Sequence, residues 1–285
     1  MAAIGGIDHL VIAVADLDRA EAAYRRLGFT LSPRAQHSEQ MGTANHTIML
    51  QSDYFELLGV RVPTESNQRW RDALSHGEGL AGLAVQTSGA AAAHEAWRRQ
   101  GHVPGDVRAF SRVVERPGGI RMDAKFEIVS LPNGTLPGAS IFACAQLTRD
   151  AVWLPELMEH PNTACAVRKF TIVTRDPTGD AAKWGRALPG STRKMIEGGA
   201  QIRVAQNAID LIDPATAAKR FGLGGPADRP RAIAIEFAVG DVAVCRTALA
   251  KGDAPVETDG DRTTVPAREA CGVVLAFAPL GAELA

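Results

Sequence analysis

The stretch Ile7-Asp8-His9-Leu10-Val11-Ile12-Ala13-Val14, followed by Asp16, Ala20, Ala23, Tyr24, Leu27 and Gly28, decides the fold. The first eight residues are a β-branched strand. Asp16 is placed to cap a helix. Ala20, Ala23, Tyr24 and Leu27 recur at helical spacing and give that helix one apolar face. Gly28 ends it. Strands are expected next at 29–31, 46–50 and 54–60, so the unit reads β-α-β-β-β.

The same unit recurs three times further along the chain. Residues 80–101 give a strand, an Ala-rich helix with Trp97, and Gly101; strands are expected near 121–131 and 139–147. Residues 167–188 give a strand and a helix with Ala181, Trp184 and Leu188, then strands near 201–205 and 207–212. Residues 231–250 give a strand and a helix with Val242, Cys245 and Leu249, with a last strand at 272–277. Tyr24, Trp97 and Trp184 fall on equivalent helix positions, as core anchors would. A connector at roughly 148–166 and a Pro/Gly-rich stretch at 222–230 divide the units. The fold class is therefore α+β, with four βαβββ modules paired 1+2 over 1–150 and 3+4 over 151–285. Alternation within the strands predicts sheets with one face on the helices and one face free.

Composition narrows the function. Lys+Arg is 31 against Asp+Glu at 32, a formal net charge of -1 over 285 residues, so no basic face for nucleic acid is expected. Aromatics at 5% argue against stacking platforms for single strands. No apolar run approaches the roughly 18 residues of a membrane span, and the first residues lack a secretory pattern. A cytoplasmic protein is expected. None of Cys144, Cys165, Cys245 and Cys271 lies in a C-x-x-C pair, so they read as reduced core thiols. There is no P-loop, no G-x-S-x-G and no H-E-x-x-H. Gly222-Leu223-Gly224-Gly225 runs into Pro226 rather than a helix, against a dinucleotide fingerprint.

Several motifs then occur in order: Ile7-Asp8-His9-Leu10-Val11, Gly42-Thr43-Ala44-Asn45-His46, Tyr54-Phe55-Glu56-Leu57-Leu58, Phe110-Ser111-Arg112, Cys144-Ala145-Gln146-Leu147-Thr148, Trp153-x-Pro155-Glu156 and His160-Pro161-Asn162. With the four units, they resemble the vicinal oxygen chelate superfamily and, within it, the glyoxalase-like domain proteins. The resemblance covers roughly residues 4–175. It implies curved mixed sheets with helices outside, around a metal or ligand cavity.

Residues two apart in a strand share a face, so His9, Val11 and Ala13 point one way, and Tyr54, Glu56 and Leu58 share another face. If both strands border one concave sheet, an imidazole and a carboxylate converge. That pair suits one divalent Mn, Fe, Co, Ni or Zn ion. The resemblance implies metal ligation by His9 and Glu56. Counting back from Gly28 and Gly101 places Gly82 opposite His9, and Gly82 has no side chain to offer. Gln146 stands where relatives with a Cys-x-His-x-Thr pattern carry His. The expected ligand set is thus His9, Glu56 and Gln146.

His46 is expected near the cavity mouth, and Arg112 or Lys125 could hold a substrate carboxylate. His160 reads as structural. In units 3 and 4 the positions opposite His9 are Lys169 and Ala234, and Asp210, read as exposed, sits opposite Glu56; no metal site is expected there.

The leading expectation is a lyase or isomerase acting on a small oxygenated substrate that chelates the metal, with Glu56 as base as the resemblance to glyoxalase suggests. The alternative is a metal-free protein that binds or sequesters a small molecule. An extradiol-type dioxygenase ranks below both, because it would be expected to use two His and one carboxylate. Neither nucleic acid nor membrane is an expected partner, and the chain is expected to be a monomer or homodimer.

Overall fold

The structure, a computed structural model, describes residues 3–116, 120–223 and 228–282. Part of the Pro/Gly-rich stretch between units 3 and 4, residues 224–227, lies outside them. The first two modules are β1 (Ile7–Val14), α1 (Leu17–Arg26), β2 (Ala35–Gln36), β3 (Thr43–Met49) and β4 (Tyr54–Val60), then α2 (Gln68–Leu74), then β5 (Gly79–Gln86), α3 (Ala90–Arg99), β6 (Arg108–Arg116), β7 (Ile120–Ser130) and β8 (Ser140–Gln146). The other two are β9 (Ala164–Val173), α4 (Pro177–Ala187), β10 (Thr192–Ile196), β11 (Gly199–Val204) and β12 (Asn207–Ile212), then α5 (Pro214–Phe221), then β13 (Arg231–Val239), α6 (Val242–Lys251), β14 (Glu257–Asp259), β15 (Arg262–Val265) and β16 (Val274–Pro279).

Two eight-stranded mixed sheets result, ordered β2-β3-β4-β1-β5-β8-β7-β6 and β10-β11-β12-β9-β13-β16-β15-β14. Within each module the first and last strands run parallel, as in β1 with β4 and β5 with β8. The modules of a sheet meet along antiparallel inner strands, β1 with β5 and β9 with β13. This is the α+β, four-module architecture, paired 1+2 and 3+4.

The expected caps form. Asp16 accepts hydrogen bonds from the Asp18 and Arg19 amides, and Gly28 takes a φ of 79 just past α1. No strand forms at 29–31. The edge strand lies later, at β2, because Phe29 and Leu31 are instead buried in the core. Leu10, Ile12 and Val14 face the helices, and those helix-bearing faces of both sheets share one core. Phe237 meets Phe29 at 5.5 Å and Phe55 at 5.2 Å between ring centres. The three equivalent aromatic anchors are buried, and each donates a hydrogen bond to a distant part of the chain: Tyr24 to the Ala270 carbonyl (3.2 Å), Trp97 to Ala187 (2.8 Å) and Trp184 to Pro137 (3.0 Å).

The opposite faces differ. In the second sheet, α5 covers the face with Ala217 and Phe221 against Ile212, Ile233 and Val274. In the first, Tyr54, Leu58, Trp70, Phe126 and Phe142 surround a cavity, backed by Val11 and Ala13 of the same apolar cluster.

Candidate active site

The cavity has a volume of about 180 Å³. His9 from β1 and Glu56 from β4 both line it, together with Tyr54, Phe126, Phe142 and Cys144. Alternation accounts for the pair: in the parallel register His9 pairs with Tyr54 and Val11 with Glu56, so odd β1 residues and even β4 residues share the cavity face. The His9 ring stacks on Tyr54 at 4.4 Å and meets the Phe142 edge at 5.3 Å. Glu56 accepts a hydrogen bond from the Asn45 amide.

Asp8 joins this site, which strict alternation does not foresee. The β1–β5 register shifts between Ile7 and His9, since Ile7 pairs with Val85 and His9 with Ala84. The extra residue is Asp8, as in a β-bulge, and bulges re-aim side chains. Asp8, His9 and Glu56 are only 2%, 5% and 7% exposed. Carboxylates so buried need partners. Asp8 accepts from His9 Nδ1–H at 2.7 Å and from Gln146 Nε2–H at 3.0 Å. Asp8, His9 and Cys144 offer ligand atoms within 4.8 Å of one another. Burial holds the Cys144 thiol and the Tyr54 hydroxyl well above their ordinary pKa, with the Asp8 charge next in effect.

Gln146 is not on the cavity wall. Its amide nitrogen is committed to Asp8, with longer contacts to Tyr54 Oη (3.5 Å) and Cys144 Sγ (3.7 Å). Its buried Oε1 has no hydrogen-bond partner, nor has Asn45 Oδ1 beside Glu56. Arg112 lines the cavity as expected.

His46 and Lys125 do not line it, and both expectations are corrected. His46 lies on the other face of β3, donating from Nδ1 to the Ser32 carbonyl (2.9 Å) and accepting from Arg34 (3.3 Å). Asn45 and Thr47, its chain neighbours, take the cavity side. Lys125 is exposed, on the face of β7 opposite Ala124 and Phe126. His160 is structural: Nδ1 accepts from the Thr30 amide and Nε2 donates to the Met49 carbonyl.

Gly82 pairs directly with Val11 on the cavity face. A Cβ there would meet the Trp70 ring at 2.8 Å. The volume that a second-module ligand would need is thus filled by α2, an element the sequence reading missed. Arg69 and Arg108 were missed as well; both line the cavity.

The second sheet carries its own cation where the first carries His9. Lys169 Nζ lies 3.1 Å from Asp210 Oδ2, and Gln201 donates to Asp210 Oδ1 at 2.7 Å. Asp210 is therefore buried rather than exposed. Glu236 is likewise paired, with Arg168 at 3.4 Å and Arg262 at 3.1 Å.

The residues of the first sheet fit a divalent cation. A metal-ligating His commonly donates its second ring N–H to a carboxylate, which fixes the tautomer. Asp8 does this for His9 and leaves Nε2 available, while Gln146 Oε1 is a buried acceptor without a partner.

Similar proteins agree with this fold. A solved hypothetical protein from Staphylococcus aureus superimposes with a TM-score of 0.70 at 10% identity, covering 96% of this chain and 99% of that one. A mutant 4-hydroxymandelate synthase from Streptomyces coelicolor gives 0.57 at 14% identity, over 98% and 94%. The Mn(II)-bound glyoxalase from Novosphingobium aromaticivorans gives 0.55 at 12% identity, over 97% and 82%. No curated protein sequence matches the chain. The model of the family described as "Glyoxalase-like domain" matches residues 7–188, well over half of the sequence. The chain belongs to the glyoxalase-like domain family.

Proposed function

We propose that the protein is a metal-dependent lyase or isomerase acting on a small oxygenated substrate in the first-sheet cavity. The observation that carries this reading is a buried His9 and Glu56 on one cavity wall, with Asp8 holding His9 in a ligand-ready tautomer. His9 and Glu56 would hold one divalent Mn, Fe, Co, Ni or Zn ion, with Gln146 Oε1 as a third donor. Such an ion, when bound, would supply Lewis acidity toward an oxygen of the substrate. Glu56 would also be the base: Asn45 donates to one of its oxygens, and the other would leave the metal to take a proton from substrate carbon or oxygen. Arg112 faces the same space and balances negative charge gathering on the substrate. Trp70, Phe126 and Phe142 give it apolar walls.

The test is turnover by metal-loaded protein of α-ketoaldehydes, catechols and hydroxy-keto acids. Glu56→Gln should lower it at least a hundredfold; unchanged turnover would remove Glu56 from the chemistry. Asp8, His9 and Cys144 are an alternative donor group. If Glu56 rather than the thiol ligates, Cys144→Ser keeps the metal.

A second reading has support of its own. The aromatic wall of Trp70, Phe110, Phe126 and Phe142 suits a protein that sequesters a small molecule without metal. Tight binding without turnover, indifferent to metal, would favour it.

A further inference from the structure

We infer that the cavity has an anion subsite, in which Arg69 and Arg108 hold the carboxylate of a substrate whose apolar body is about one ring in size. This rests on the reading above that the cavity is the substrate site.

Arg69 is presented by α2 and Arg108 by the start of β6. Both line the cavity with Ile128 and Ser130 of β7, and Arg108 is in register with Ile128. Arg69 Nη1 donates to Ser130 Oγ at 3.1 Å, and its guanidinium lies 5.5 Å from the Trp70 ring centre. Burial, and then the charge of Arg108, lower its pKa from the ordinary arginine value. Two like charges therefore share one wall. Among the described residues neither is in an ion pair. The second sheet shows the contrast: there Arg168 and Arg262 meet Glu236, and Arg220 approaches Asp210. A half-buried guanidinium without a counter-charge is costly, and its fork of donors matches a carboxylate.

Size and polarity fix the rest of the ligand. A cavity of about 150 Å³ lined by apolar side chains takes benzene. This one is about 180 Å³, with Trp70, Phe126 and Phe142 on its walls. One ring, or an aliphatic body of that bulk, fits between them. Glu56 repels an anion, so the carboxylate lies toward the arginines and the reacting oxygens toward His9 and Glu56.

The test is calorimetric titration of the full chain, metal-free and Mn-loaded, with phenylacetate and its neutral isostere phenylacetamide. Phenylacetate should bind at least tenfold tighter than the amide. Arg69→Gln and Arg108→Gln should each abolish that preference, with the melting temperature of Arg108→Gln unchanged. Arg108 is exposed, so its variant reports even if Arg69→Gln folds poorly. Equal binding of acid and amide, no binding of either, or a loss confined to Arg112→Gln would overturn the subsite. Acid binding that needs Mn and ignores both arginines would overturn it too, while leaving the metal site standing. Arginine-dependent binding by a protein that takes up no metal would uphold the subsite and remove the metal.

Discussion

At the scale of single residues, Asp8 carries more of the site than the sequence reading gave it. His9 and Glu56 were legible because a polar residue interrupting an apolar strand is a violation that needs a reason. Asp8 was not, since strict alternation sends it to the helix side and only the register shift beside it turns it inward. Asp8→Asn should weaken metal binding 10- to 100-fold, the usual loss for an orienting partner, read by competition with a chromophoric chelator. Unchanged affinity would mean that Asp8 merely packs. Gln146 was expected as a ligand; its amide nitrogen is committed to Asp8, which leaves only Oε1 to serve as a donor. Asp53 went unnoticed. It is fully buried, accepts the Val167 amide at 2.9 Å, and burial raises its pKa from 3.8 to about 7. The folded state thus holds a proton that the unfolded chain gives up between pH 4 and 7. Stability therefore falls as pH rises through that window, by roughly 4 kcal/mol at most. Asp53→Asn should flatten this slope in melting curves taken from pH 4 to 8; parallel curves for variant and parent would contradict it.

At the scale of elements, the four module helices and the inner strands were legible, and α2, α5 and the edge strands were not. β1, α1, β4 and β9 bury one or both faces, so their apolar periodicity is strong. β10 and β14 are exposed almost throughout and leave no such pattern. α2 is short and buries only Trp70, yet it decides the site by covering Gly82 and presenting Arg69. Gly82 was read as a missing ligand; the structure supplies the reason, an indole in its place. Gly82→Ala should cost about 1–3 kcal/mol through overpacking against Trp70, measured by urea unfolding. No loss would show that the indole swings aside freely.

At the scale of the whole molecule, the repeat was enough to give four modules and their pairing, because each unit repeats the same strand-helix pattern. How the two sheets meet was not legible, since an apolar helix face does not say what covers it. The answer is one core, with Phe29, Phe55 and Phe237 in mutual contact and Trp97 hydrogen-bonded to Ala187. The halves should therefore unfold together. Chemical denaturation followed by tryptophan fluorescence and by far-ultraviolet circular dichroism should give one coincident transition. Trp97→Ala should lower its free energy by about 3–5 kcal/mol. Two separated transitions would contradict a shared core.

Whether His9 and Glu56 hold a divalent metal is decided by metal analysis of protein purified without a metal-affinity tag, dialysed, and reloaded in turn with Mn, Fe, Co, Ni and Zn. Close to one equivalent of at least one metal should bind, and it should be lost in His9→Ala and in Glu56→Ala while both variants stay folded. No uptake of any of the five, or one equivalent that survives both substitutions, would contradict it.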